Sequence, residues 1–296
     1  MISQLPKKLF FRIEPILTSL MFYPASIKDR LVRQNPLTIL MYHSIQEKLC
    51  GGPCSYYDLR ITVEAFHRQM KYLNDNGFNI ISLDEYAQAR MTDRVLPPRP
   101  VVITFDDGYM DNYTNAYPVL KEFGFKATIF LAVDYINTGS PADFLSERVG
   151  ITRDIQFLSW PKINEMSENG ITFGSHSMSH KKLDLLTEDD FAYEISKSKD
   201  IIEEKTGKEV SSFCFPYAFP GGRKREVFCK LAREHLARAG YKLGVTTTIG
   251  RNTPAQDIFF LRRVPIHVND SLRRFAAKLT GGYDWVRTFQ SFAKSF

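Results

Sequence analysis

From Thr38 onward, short apolar runs rich in β-branched residues alternate with longer segments of helical period, and this alternation restricts the architecture more than any other feature. The strand-like runs are Thr38–Tyr42, Asn79–Leu83, Val101–Phe105, Ala127–Ala132, Ile171–Gly174, Ser212–Phe215, Leu243–Thr247 and Leu261–Ile266. The helix-period segments between them are Val63–Asn76, Asp84–Arg90, Asn112–Phe123, Trp160–Asn169, Glu188–Thr206, Glu226–Ala239 and Ser271–Leu279. Strands that alternate with covering helices form parallel sheets. Seven or eight such units over about 240 residues fit a (β/α) barrel better than an open sheet, although spacing alone leaves the sheet available. Thr62 before Val63 and Thr187 before Glu188 read as helix starts, and Thr206-Gly207 as a helix stop.

At 296 residues, with 44% hydrophobic and 24% charged residues, the chain can bury its own core. Its four cysteines, Cys50, Cys54, Cys214 and Cys229, form no disulfide framework. Positive charge gathers at the two ends. Residues 1–33 hold six Lys/Arg against Glu14 and Asp29, and residues 262–296 hold seven against Asp270 and Asp284, within a net charge of +6. The body between them is therefore net acidic, and no basic helix is interleaved with stacking aromatics, so nucleic-acid binding is not expected. Leu9, Phe10, Ile13, Ile16, Leu17, Leu20 and Met21 form an apolar stripe near Lys7, Lys8 and Arg12; Trp285, Phe289, Phe292 and Phe296 form another. Such stripes pack on a fold or lie in a membrane interface, and Pro15 argues against one continuous N-terminal helix. The apolar stretch Leu9 to Ile27 is broken by Arg12, Glu14, Pro15 and Pro24. It suits neither a secretory signal nor a membrane span, so a cytoplasmic protein resting on the inner face of the membrane is expected. The expected division is a basic amphipathic extension over 1–34, a catalytic domain over 35–270 and an amphipathic tail over 271–296. Arg94 to Pro100 is a proline-rich connector, and Asn137–Phe157 reads as a loop over the site.

Three segments carry chemistry. Thr104-Phe105-Asp106-Asp107-Gly108 follows the run Val101-Val102-Ile103, so two carboxylates stand at a strand's C-terminal end, where barrel enzymes place catalysis. The competing reading is a turn whose carboxylates cap the helix near Asn112. His176-Ser177-Met178-Ser179-His180 follows Ile171-Thr172-Phe173, and histidines four apart on a helical turn share a face and can share a metal. Phe213-Cys214-Phe215-Pro216-Tyr217 by itself is a strand stopped by proline.

Together, over roughly Thr38 to Val268, these motifs resemble the polysaccharide deacetylases, the NodB-like carbohydrate esterases of family 4, and most closely the poly-N-acetylglucosamine deacetylase branch. The resemblance implies a distorted (β/α) barrel of the NodB type. It assigns a divalent metal, zinc foremost with cobalt or nickel as alternatives, to Asp107, His176 and His180. It makes Asp106 the general base and gives Tyr217 an oxyanion-binding backbone N–H. The family's third motif starts with an arginine that holds the base, but Cys214 stands there. Arg262 and Arg263 are candidates to replace it, Arg263 favoured. His267, in Pro265-Ile266-His267, matches the family's late histidine and would be the general acid. His43, in Met41-Tyr42-His43, competes for that role. The expected activity is removal of N-acetyl groups from N-acetylhexosamine units of a cell-surface polysaccharide or its lipid-linked precursor. Alternatives are an O-acetyl esterase, a deformylase on a lipid-linked amino sugar, or a non-catalytic carbohydrate-binding scaffold.

Overall fold

A computed structural model describes residues 7–20, 35–49, 58–136 and 156–287. Among them, seven parallel strands close into a barrel in the order β1 (Thr38–Tyr42), β10 (Leu261–Pro265), β9 (Leu243–Ile249), β8 (Ser212–Cys214), β7 (Ile171–Ser175), β6 (Ala127–Leu131) and β5 (Pro100–Phe105). Pairing of β5 back to β1, in register from Thr38↔Val101 to Tyr42↔Phe105, completes the closure. The short β4 (Asn79–Ile80) pairs with the start of β5, and β6 pairs with its end, so one β5 edge serves two neighbours. Two further short strands, β2 (Ile45–Gln46) and β3 (Ile61–Thr62), pair outside the barrel.

Helices α2 (Val63–Asp75), α3 (Leu83–Met91), α4 (Tyr117–Phe123), α5 (Trp160–Ser167), α6 (Glu188–Thr206), α7 (Gly222–Arg238) and α8 (Leu272–Leu279) follow in chain order. The punctuation is local. Thr62 and Thr187 accept hydrogen bonds from Ala65 N and Asp190 N as N-caps, Ser82 and Glu85 form a capping box, and Gly207 ends α6 in the left-handed region. One turn of π-helix, Asn112–Ala116, precedes α4.

Alternation along the strands sorts residues to two sides. Leu40, Ile103 and Ile129 join the helix residues Phe66, Ile163 and Ile195 in the outer core. Ile39, Val102, Phe130, Cys214, Val245 and Leu261 form a separate inner cluster, closed by Leu83, Tyr86 and Ala87 of α3. Continued two residues toward the C-terminal ends, that inner row becomes polar: Val102 leads to Thr104 and Asp106, and Leu261 leads to Arg263.

The helix α1 (Lys7–Leu20) runs through Pro15 rather than breaking there. A proline removes one helical donor, and the helix is held by tertiary packing on either side of it. Glu14 and Thr18 are fully buried, whereas Ile16 and Leu20 are exposed. A Cβ on Gly282 would meet the backbone oxygen of Thr18 at 3.1 Å, so the chain after α8 approaches α1 closely. α8 itself buries Phe275, Ala277 and Leu279, and Tyr283 beyond it is also buried. The described parts of both expected extensions are thus seated on the barrel. Among the described residues no helix is long and apolar enough to cross a membrane. Cys50, Cys54, residues 137–155 of the expected loop, and Phe289, Phe292 and Phe296 lie outside the described residues.

Candidate active site and metal centre

At the C-terminal mouth of the barrel, Asp107 follows β5 in left-handed backbone at φ 75°, and Gly108 repeats that conformation. Two such residues in succession turn the chain back, so adjacent carboxylates that an extended strand would send to opposite faces both reach the cleft. Neither carboxylate caps the following helix, whose N-cap position is Asp111. Leu158 N donates to Gly108 O at 2.9 Å, and Phe157 stacks on Tyr109 with centroids 5.3 Å apart, which steadies the turn.

The segment after β7 is not the helical turn that its spacing suggests. Ser177 (φ 67°) and His180 (φ 54°) are left-handed, which breaks helical hydrogen bonding. A looped-back segment forms instead, gathered by the Glu194 carboxylate of α6. Glu194 accepts from Met178 N and Ser179 N, each at 2.9 Å, and from the Ser179 hydroxyl. His176 and His180 still converge, with ring centroids 4.8 Å apart. Their Nε2 atoms lie 3.3 and 3.2 Å from Asp107 Oδ1.

The ligand atoms of Asp107, His176 and His180 all lie within 4.8 Å of one another, and all three residues are buried. Two imidazoles and one carboxylate suit a zinc-like cation with positions open for water and substrate. His176 Nδ1 lies 2.8 Å from Cys214 O, a contact in which Nδ1 must donate; Nε2 is left as the ligand atom. The imidazoles hold the Asp107 carboxyl well below the usual range in spite of burial that opposes ionisation. A second group, Asp106, His176 and Cys214, shares His176. It fits a cation less well, because Asp106 already faces an arginine and burial pushes the Cys214 thiol up.

That arginine is Arg263, one step inward of Arg262. Its Nη1 and Nη2 donate to Asp106 Oδ1 and Oδ2 at 2.6 and 2.7 Å, a bidentate pair. Nε donates to Thr246 O at 3.1 Å, and Nη2 lies 3.1 Å from Cys214 Sγ. Cys214, standing where the resemblance implies an arginine, instead touches a guanidinium that enters from a different strand. Burial would raise the Asp106 carboxyl, but Arg263 outweighs it and holds the group below its ordinary value. Arg262 lies on the other side of its strand; its backbone N–H donates to Asn252.

His43 Nε2 stands 3.9 Å from Asp106 Oδ2. Tyr217 has left-handed backbone (φ 58°) after Pro216, and its ring centroid lies 4.8 Å from that of His180. His267 is buried in a setting that the motifs did not foretell. Lys278 Nζ lies 3.1 Å from its Nδ1, and its backbone N–H donates to Asp270 at 2.9 Å. Burial, then Lys278 and Arg274, hold its imidazole well below the usual pKa. Sequence reasoning missed Lys278, Asp270 and Glu194. Asp270, Arg274 and Lys278 recur at four-residue steps, a stripe that could have marked one helix face.

Comparison with known proteins agrees with this geometry. The family model described as polysaccharide deacetylase matches residues 93–243. YxkH of Bacillus subtilis, provisionally named a polysaccharide deacetylase, is 32% identical over 241 residues, covering 81% of this chain and 75% of its own. The poly-β-1,6-N-acetyl-D-glucosamine N-deacetylase of Escherichia coli is 22% identical over 295 residues; the match covers 87% of this chain but only 41% of that protein. The Streptococcus pyogenes deacetylase PplD, solved with acetate, superposes with a TM-score of 0.69 at 24% identity, covering 83% of this chain and 99% of PplD, which shows a shared fold. By the matched family model and the relative in Bacillus, the chain belongs to the polysaccharide deacetylase family.

Proposed function

We propose that this protein is a metal-dependent hydrolase that removes N-acetyl groups from N-acetylhexosamine units of a poly-N-acetylglucosamine-like polysaccharide or its lipid-linked precursor. The observation that carries the reading is the meeting of Asp107, His176 and His180 beside an Asp106 clamped by Arg263. The substrate class is supported by the Escherichia coli relative, named for poly-β-1,6-N-acetyl-D-glucosamine. Asp107, His176 and His180 would hold the cation, zinc before cobalt or nickel. When bound, it supplies polarisation of the acyl carbonyl and acidification of water.

The chain's own residues do the rest. Asp106 accepts the proton of the attacking water, and Arg263 keeps its carboxylate ionised and aimed. Tyr217 offers its backbone N–H to the oxyanion. A general acid must carry a proton to the departing amine. His267 is held neutral by burial and by its cationic neighbours, whereas His43 faces the Asp106 carboxylate, so we assign the acid role to His43 and leave His267 as a neutral hydrogen-bond donor to substrate. The exposed Ile16 and Leu20 of α1 and the basic ends of the chain support contact with an anionic membrane surface on the cytoplasmic side, where a lipid-linked saccharide would be met. Sedimentation with anionic vesicles at low salt should bring the protein down, and an Ile16→Ser/Leu20→Ser variant should stay in the supernatant.

The decisive assay is acetate release from N-acetylglucosamine oligomers with metal analysis of the same samples. Asp106→Asn should keep its metal and lose activity, whereas His176→Ala should lose both. A zinc-loaded wild type that releases no acetate from N-acetylated oligomers overturns the reading, and release only from O-acetylated ones replaces it with an esterase.

A further inference from the structure

A continuous run of buried charge joins the N-terminal helix to the cleft. The Glu14 carboxylate on α1 accepts from Thr18 at 2.8 Å and from Arg274 Nη2 of α8. Arg274 Nε lies 3.2 Å from Asp270 Oδ1. Asp270 Oδ2 accepts from Lys278 Nζ at 2.6 Å and from His267 N at 2.9 Å. Lys278 Nζ also donates to Pro265 O at 2.7 Å and lies 3.1 Å from His267 Nδ1. The side chains of Glu14, Arg274, Asp270 and Lys278 are all at most 2% exposed.

An ammonium group has three hydrogens and no lone pair. Its three neighbours here are one carboxylate, one carbonyl and the His267 Nδ1, so Nδ1 must accept. A neutral ring that accepts at Nδ1 carries its hydrogen on Nε2. We propose that α1 is a positioning element of the cleft: through Glu14, Arg274, Asp270 and Lys278 it holds an ammonium on His267 Nδ1 and so fixes that histidine as the Nε2–H tautomer, a donor to substrate.

The groups facing His267 are Lys278 and Arg274 from α8, Asp270 from the preceding turn, His43 from the end of β1 and the Tyr283 ring at 6.4 Å. Lys278 is the vulnerable link. Burial and Arg274 push its ammonium down to about 8 against the pull of Asp270 and Glu14. Glu14 therefore matters at a distance. Without its charge, Arg274 is left as an excess cation beside Lys278, and the ammonium gives up its proton at lower pH.

The inference rests on the deacetylase reading only in giving His267 a substrate to face, and its first test needs no turnover. Long-range 1H–15N correlation spectra of the zinc-loaded full chain, with the ring assigned through His267→Gln, report the tautomer directly. We expect neutral Nε2–H at pH 7, released near pH 8. In Glu14→Gln that release should move about one unit lower, while Ile16→Ser, on the outward face of the same helix, should match wild type. Lys278→Met should give a mixed tautomer and a kcat lower by about tenfold or more with little change in KM, and Lys278→Arg should restore both. If Glu14→Gln does not fold, Glu14→Asp, which keeps the charge but draws it back from Arg274, should move the release in the same direction by a smaller amount. An Nδ1–H or doubly protonated ring in wild type at pH 7, or a folded Glu14 variant that titrates like wild type, overturns the proposal. Either result beside normal acetate release leaves the deacetylase reading intact. An inert wild type with the expected tautomer sinks that reading alone.

Discussion

Arg263 shows how strand alternation turns a core position into a chemical one. Leu261 fills the inner cluster, and two residues on the same face carries a guanidinium that is 1% exposed. Such a charge is tolerated only because Asp106 meets it with two short hydrogen bonds. Arg263→Lys keeps the charge but loses the fork. We expect it to bind metal normally and to lose about tenfold to a hundredfold in kcat, read in the acetate assay. Arg263→Ala leaves Asp106 alone in the barrel and should cost about 3–5 kcal/mol of stability in urea unfolding. Asp111 is the opposite case. Burial pushes its carboxyl up to about 6 despite hydrogen bonds from Ser44, Ile45 and Asn112. A carboxyl raised in the folded state contributes stability at pH below its unfolded pKa and loses it as pH rises through the folded one. Asp111→Asn should therefore stabilise the protein by about 1–2 kcal/mol at pH 7.5 and by little at pH 4, as thermal melts at the two values would show.

The segment between β7 and α6 shows what holds two ligands in unusual backbone. Left-handed conformations at Ser177 and His180 cost about 1–3 kcal/mol each. They persist because Glu194, one and a half turns into α6, binds two consecutive backbone N–H groups and a hydroxyl of the segment. Glu194→Ala should leave α6 intact and weaken metal affinity by about 10–100-fold, measured by competition with a chelator. Beneath this segment, Gly174 lets β7 pass the Phe130 ring: an added Cβ would lie 2.5 Å from the ring and 2.7 Å from Ser212 Oγ. Its φ is unremarkable, so the constraint is space rather than backbone freedom. Gly174→Ala should destabilise by about 1–3 kcal/mol, and a urea midpoint equal to wild type would contradict the packing described.

Taken as one body, the barrel concentrates charge in its mouth and spreads the cost through its walls. Asp106 and Asp107 are both held below the ordinary carboxylate range. Their contribution to stability is present above that range and is lost as pH falls through it. His267, held below the usual imidazole value, acts in the same direction: its contribution is present above the unfolded value and disappears as pH falls. Asp111, raised to about 6, acts the other way between pH 7.5 and 5, so the urea midpoint should drop chiefly below pH 4, and His267→Gln should make the midpoint at pH 5, relative to that at pH 7.5, higher than in wild type. Closure of β1 against both β10 and β5 ties the first strand to the last. Far- and near-ultraviolet signals should therefore be lost together in urea, and separated transitions would show that the barrel is not one cooperative unit.

Local pattern was enough for most elements; it failed at Pro15, where α1 runs on, and over 176–180, which is no helical turn. Apolar runs, caps and helical period placed strands and helices within a few residues, since period and capping depend only on near neighbours along the chain. The Asp107, His176 and His180 motifs were legible for the same reason, each lying within five residues at a strand's end. Which groups meet across the barrel was legible only in part: the resemblance offered Arg263, beside Arg262, as the partner of Asp106, but nothing marked Glu14, Arg274, Asp270 and Lys278 as one run. The partner of Asp106 is 157 residues away, and that of Glu14 is 260 away. Those meetings depend on register, on closure of β5 onto β1 and on where α1 is seated. Burial then decides the charge states, because the dielectric around a side chain is set by everything packed against it, and no window of sequence contains that.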